Sequence, residues 1–155
     1  SLADPGASLP RRGIVLASGE AVGSMRRDDL GTLIAATSTD IDAMPWEDVE
    51  DVPGVHRKTL WQSGDVTLGL MKVDSGHENP EHVHHAAHHH ILVLEGECSM
   101  VGKRLGPGSY VYIPSTVPHA VTEVGPGGCV FFYTYRPLEH VHQASPLDSE
   151  HGGVV

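Results

Sequence analysis

The chain is short of positive charge, of cysteine, of long apolar runs and of helical periodicity, and each shortage removes a class of function. Lysine and arginine total 10 against 20 aspartates and glutamates, a formal net charge of −10 with histidine neutral. Nothing basic is clustered to meet phosphates, so nucleic acid is not expected as a partner. The pairs Arg11-Arg12 and Arg26-Arg27 lie in a Gly-rich leader and read as solvated charge. No run of about 18 apolar residues occurs, which excludes a spanning helix. No charged n-region leads into an apolar h-region, so no secretory signal is read and a cytoplasmic location is expected. The 2 cysteines, Cys98 and Cys129, lie in apolar strand-like surroundings and read as buried free thiols rather than a disulfide or redox pair. No segment sustains a helical pattern beyond a turn or two, and no long-period repeat is present.

What the chain does have is 18 glycines and 11 prolines in 155 residues, with a charged fraction of 19%. That composition suits short strands joined by tight turns within one domain. Residues 1–50 read as an N-terminal arm with an edge strand at "GTLIAA", residues 51–143 as the barrel, and residues 144–155 as a flexible tail. "DIDAMPWEDVEDVPGV" reads as an acidic loop held to the domain edge through Trp46. The segments "HRKTLW", "VTLGLMKV", "HHILVLEGECSMV", "GSYVYIP", "HAVTEV" and "CVFFYTY" read as strands, and "QSGD", "DSGHENP", "GKRLGPG", "PSTVP" and "GPGG" as turns between them. Close strand spacing with Gly/Pro turns signals an all-β sandwich or small barrel.

Within it, "EHVHHAAHHH" places six histidines in ten positions, 81–90. A purification tag would be terminal and unbroken, whereas this run is interior and interrupted by Val83, Ala86 and Ala87. A polar surface loop and half of a metal site both remain. On a strand, side chains two apart share a face, so His82 and His84 would point together. A strand starting near His88 would put His89, Ile91 and Val93 on one face and His88, His90, Leu92 and Leu94 on the other. His119, after "YVYIPSTVP", is a further candidate, although a lone histidine there also reads as a hydrogen-bonded turn residue. Imidazole suits zinc, copper, iron and nickel.

Two motifs then coincide. Gly76, five residues, His82-x-His84, four residues, His89, six residues and Gly96 resemble the first cupin motif, Gly-x5-His-x-His-x3–4-Glu-x6-Gly. "GSYVYIPSTVPH", from Gly108 through Pro114 to His119, resembles the second. The resemblance implies an all-β cupin double-stranded β-helix, a jelly-roll barrel, with His82, His84 and His119 on ligand positions. His89 stands where the family has glutamate, and Glu123 where the second motif ends in asparagine. Longer phrases such as "GDVTLGLMKV", "ILVLEGE" and "LGPGSYVYIP" are similar to small ChrR-type cupins. That group includes the zinc-binding half of anti-sigma factors and a three-histidine iron dioxygenase that cleaves acetylacetone.

The resemblance implies a divalent transition metal (Fe, Zn, Ni, Mn or Cu) on His82, His84, His89 and His119, and a small-molecule substrate. Four neutral imidazoles would leave the ion its full charge and two open positions, which a bidentate enolate would fill. The expected activity is dioxygenase-like oxidation of an enolisable dicarbonyl or phenolic ketone; the alternatives are a non-redox cyclase, isomerase or lyase, or a non-catalytic sensor module of the anti-sigma type. The first 50 residues hold neither cysteine nor an amphipathic helix for a sigma-binding segment, which favours a stand-alone catalytic chain. Glu123, Tyr133 and Tyr135 are the candidate catalytic groups. His85 reads as loop, His88 and His90 as outer-face residues, and His140 and His142 as polar tail. A homodimer is expected, formed through the unpaired "GTLIAA" edge.

Overall fold

The computed structural model describes residues 31–138 together with Ser145 and Leu147. His140, His142 and the leader's arginine pairs lie outside the described residues. Two compact units divide after Ile41. In the first, residues 31–36 form no strand, and Leu33 is 93% exposed. The expected edge strand is therefore corrected: "GTLIAA" has strand-forming side chains but no hydrogen-bonded neighbour, and a strand needs a ladder. Beyond it the chain winds into one short helix, α1 (Ser38–Ala43). Thr37 caps it. The Asp40 carboxylate accepts from the Thr37 backbone N–H and hydroxyl, while Thr37 Oγ1 accepts from the Asp40 N–H, a reciprocal capping box.

The second unit is all-β, as expected. Its strands are β1 (Glu47–Asp48), β2 (Val55–Ser63), β3 (Val66–Val73), β4 (Asn79–His82), β5 (Ala87–Gly96), β6 (Cys98–Met100), β7 (Lys103–Leu105), β8 (Tyr110–Ile113), β9 (His119–Val121) and β10 (Cys129–Pro137). Six form one antiparallel sheet in the order β1-β2-β3-β10-β5-β8; β4 pairs with β9 and β6 with β7. A bridge between Ser99 and Thr122 ties the two small ladders together. The core lies between the layers, where Ile91, Val93, Phe131 and Tyr133 of the large sheet meet Met100 and Val121. Along β5 the burial alternates as the sequence predicts. His89, Ile91 and Val93 are buried, whereas Leu92 and Leu94 are exposed.

Three short strands fall in segments expected to be loops or turns. β1 lies in the acidic loop, β4 in "DSGHENP" and β7 in "GKRLGPG". Each is held by a partner ladder that local composition does not reveal. The β6–β7 hairpin closes through Val101 and Gly102, both with positive φ, 47° and 75°. Two residues with positive φ are what a two-residue hairpin turn requires, but valine gives no sign of it in sequence. The Trp46 anchor is as expected. Its ring lies beneath the ammonium groups of Lys58 and Lys72, 4.6 and 5.3 Å from the centroid. At Gly96, the last glycine of the first motif, φ is +70° and an added Cβ would sit 1.9 Å from the Gly128 carbonyl oxygen. Only glycine allows that approach. Among the described residues no helix is long and apolar enough to cross a membrane.

Candidate metal centre

The β4–β9 ladder sets His82 directly opposite His119, with ring centroids 4.3 Å apart. Each ring is steered by a carbonyl two residues back. His82 Nδ1–H donates to Pro80 O at 2.7 Å, and His119 Nδ1–H to Val117 O at 3.0 Å. Those bonds fix the tautomer and leave both Nε2 atoms bare, the usual arrangement for imidazole ligands.

His84 departs from the expected geometry. β4 ends at His82, so the pair does not share a strand face. A clamp from the second motif holds it instead. The Thr116 N–H donates to His84 O at 2.8 Å, and Ser115 Oγ reaches His84 O at 3.1 Å and His85 O at 2.8 Å. The clamp requires a φ of 68° at Thr116, a bent "PSTVP" loop whose role the sequence did not disclose. The His84 ring then lies 4.8 Å from His82 and 5.3 Å from His119. Candidate ligand atoms of His82, His84 and His119 all fall within 4.8 Å of one another. Zinc–imidazole bonds of about 2.0–2.1 Å set two ligands across an ion about 4 Å apart, so modest ring rotations close this triad.

His89 packs against the triad from β5, with centroids 4.3 Å from His84 and 5.2 Å from His119. It is 4% exposed, and its Nε2 is the one buried side-chain N or O atom among the described residues without a hydrogen-bond partner. An orphan of that kind costs about 1–3 kcal/mol. A cation at this point would remove the penalty, and in this respect the residues fit a metal.

Electrostatics keep the lone pairs available. Burial, followed by repulsion from His82 and His119, pushes His84 down to about 4. Burial pushes His89 down to about 3 and lowers His119 as well. Beside the rings lies a cavity of about 20 Å³ bounded by Met71, Asn79, Ile91, Val121, Phe131, Tyr133 and Tyr135. It has room for one water-sized body. No carboxylate or lysine lines it.

The remaining candidates separate by face. Tyr133 and Tyr135 turn inward, and the Tyr135 hydroxyl lies within hydrogen-bond distance of His84 Nε2, 3.0 Å. Burial pushes the Tyr135 phenol up to about 12, so it keeps its proton. Glu123 lies elsewhere. A φ of 47° turns the chain out of β9, Ser99 Oγ donates to the Glu123 carboxylate at 2.5 Å, and Arg104 donates to its backbone carbonyl. Glu123 does not line the small cavity beside the rings; with Glu81, Lys103 and His119 it lines a separate, open cavity of about 560 Å³. His88 and His90 face away from the centre as expected, bonded through Nδ1 to the hydroxyls of Tyr112 (3.2 Å) and Tyr110 (2.7 Å). His85 is exposed on the loop.

Comparison with known proteins agrees with the fold. The family model described as ChrR Cupin-like domain matches residues 35–139. Among solved structures, KdgF from Halomonas sp. is 26% identical with a TM-score of 0.52, over 61% of this chain and 89% of that one. The polyketide cyclase RemF from Streptomyces resistomycificus is 22% identical with a TM-score of 0.59, over 67% of this chain and 79% of that one. A chain from the Rhodobacter sphaeroides complex of SigE with the anti-sigma ChrR is 23% identical with a TM-score of 0.53; the match covers 62% of this chain and 50% of that one. No curated protein matches significantly.

Proposed function

Because the chain belongs to the ChrR cupin-like family, with an all-β jelly-roll fold, we propose that it is a metal-dependent enzyme acting on a small enolisable dicarbonyl or phenolic ketone, by dioxygenase-like cleavage. The observation that carries this reading is the donor set: His82, His84 and His119 bring ligand atoms within 4.8 Å of one another, His89 packs against them, and no carboxylate or lysine lines the cavity beside the rings. His82, His84, His89 and His119 would hold the ion. When bound, it supplies Lewis acidity and binding sites for the two oxygens of an enolate. A substrate already acidic enough to arrive as its enolate needs no protein base, and the cavity beside the rings offers none beyond the imidazoles. In a β-dicarbonyl, dioxygen then breaks one carbon–carbon bond, both oxygen atoms entering the products as a carboxylic acid and a 2-oxoaldehyde or diketone.

The chain's own residues do the rest. Met71, Ile91, Val121 and Phe131 give the cavity an apolar wall, and Tyr135, protonated to about pH 12, presents its hydroxyl beside His84. That hydroxyl also favours a second reading, a non-redox cyclisation or isomerisation in which Tyr135 returns a proton to the enolate.

The test is elemental analysis of untagged protein, followed by oxygen uptake on β-dicarbonyl and phenolic ketone substrates with protein reloaded in turn with each metal. Stoichiometric uptake with carboxylic acid formed supports cleavage. Turnover without uptake, weakened in Tyr135→Phe, supports the second reading. Metal-free protein that binds no transition ion refutes both.

A further inference from the structure

We infer that the outer face of the six-stranded sheet is a two-fold interface between two copies of this chain, its axis running across the strands. An antiparallel sheet with one face in the core ordinarily turns polar side chains outward. This one does not. The register places Leu70, Phe132, Leu92 and Tyr110 side by side across β3, β10, β5 and β8. The adjacent outward row is Leu68, Thr134, His90 and Tyr112. Leu92, Leu94 and Tyr110 are 39%, 43% and 45% exposed. Trp46 takes up Lys58 and Lys72 at the β2–β3 side, where Lys58 is buried, and leaves the β10-β5-β8 portion open among the described residues of this unit.

Charge selects the occupant. The chain carries a net −10, so two copies repel over most of their surfaces. On the outward positions of β10, β5 and β8 the single carboxylate is Glu95, paired with Val130 at one end; Arg136, paired with His88, stands at the other. A bulge between Val130 and Phe131 brings Glu95 onto this face. A two-fold axis across the strands turns one copy end for end. Arg136 of each copy then meets Glu95 of the partner, while the apolar rows close over one another. The same patch serves both copies, as an isologous contact requires. The contact differs from pairing through residues 31–36, and it needs nothing from the metal centre, which opens on the opposite side of β5.

Sedimentation of the full chain decides it. The wild type should run at twice 16.6 kDa at micromolar concentration. Leu92→Lys and Arg136→Glu should each raise the dimer dissociation constant on the order of tenfold to a hundredfold. The double swap Arg136→Glu with Glu95→Arg should restore much of the lost affinity, which no other occupant would produce. Metal content should be the same in every variant, so failure here is distinguishable from failure of the proposed activity. A monomeric wild type overturns the inference, whether its β5 and β8 amides are exposed or shielded by residues 1–30. So does a dimer indifferent to Leu92→Lys, or a double swap no better than its parts.

Discussion

Replacing His89 with leucine should strengthen the metal-free protein and weaken the metal-loaded one. Its Nε2 is buried without a partner, and relieving such an orphan is worth about 1–3 kcal/mol. Against that stand the ring contacts with His84 and Tyr135, centroids 4.3 and 4.2 Å away, at about 0.5–1.5 kcal/mol each for aromatic pairs. Leucine is close in volume to histidine and recovers part of that loss by apolar burial. The net expectation is about 1 kcal/mol in favour of His89→Leu without metal, a rise of roughly 3 °C in melting temperature for a domain of this size. Metal at a hundred times its dissociation constant should add about 2.7 kcal/mol to the wild type and far less to the variant, which reverses the order. Urea and thermal melts of both proteins, with chelator and with zinc or iron(II), read all four states. If His89→Leu is the weaker protein in chelator, or gains as much from metal as the wild type, His89 is an ordinary core residue and the four-histidine site is wrong.

Acid should destabilise the metal-free fold. His84 and His89 hold their protons only below about 4 and about 3, whereas unfolded imidazoles take them up near 6.5. The unfolded state therefore binds more protons in that window, and the stability present above pH 6.5 is lost as pH falls through it. Urea midpoints between pH 7.5 and 5 check this, and the fall should be shallower in His89→Leu. Gly96→Ala should lose on the order of 3 kcal/mol or fail to fold, because its Cβ would meet the Gly128 carbonyl at 1.9 Å from a backbone with φ of +70°. Denaturant unfolding that places Gly96→Ala within about 0.5 kcal/mol of the wild type, the range of ordinary surface changes, would contradict that close approach.

Most of the large sheet was legible because its strands carry their own alternation. On β5 the period of two alone separates His89, Ile91 and Val93 from Leu92 and Leu94, and the structure follows it residue for residue. The short strands were not legible, since Asn79–His82 is made a strand by Val121 and His119 across from it rather than by its own composition. For the same reason the reach of His84 was misread. Its position is set by Ser115 and Thr116, some thirty residues along the chain, and no local pattern encodes that clamp. That Glu123 turns out of β9, into a cavity apart from the histidine rings, was not legible because a positive φ on a non-glycine residue is invisible in sequence. Tyr135, by contrast, sits on the inward face that its spacing from Phe131 and Tyr133 implied.

The place of β10 has a consequence in time. It is the last of the described strands in order of synthesis, yet it lies between β3 and β5 in the middle of the large sheet. Until it emerges, β3 and β5 each present a row of unpaired backbone groups on the side that β10 will fill. The nascent chain thus carries an open edge at β3 once Val73 is made, and a second at β5 once Gly96 is made, until Cys129–Pro137 emerge, the condition under which strands recruit other chains. All four site histidines precede this strand, so they leave the ribosome before the walls formed by Phe131, Tyr133 and Tyr135 exist. A growing chain therefore bears a histidine-rich loop open to whatever ion is nearby, and β10 shuts the cage behind it.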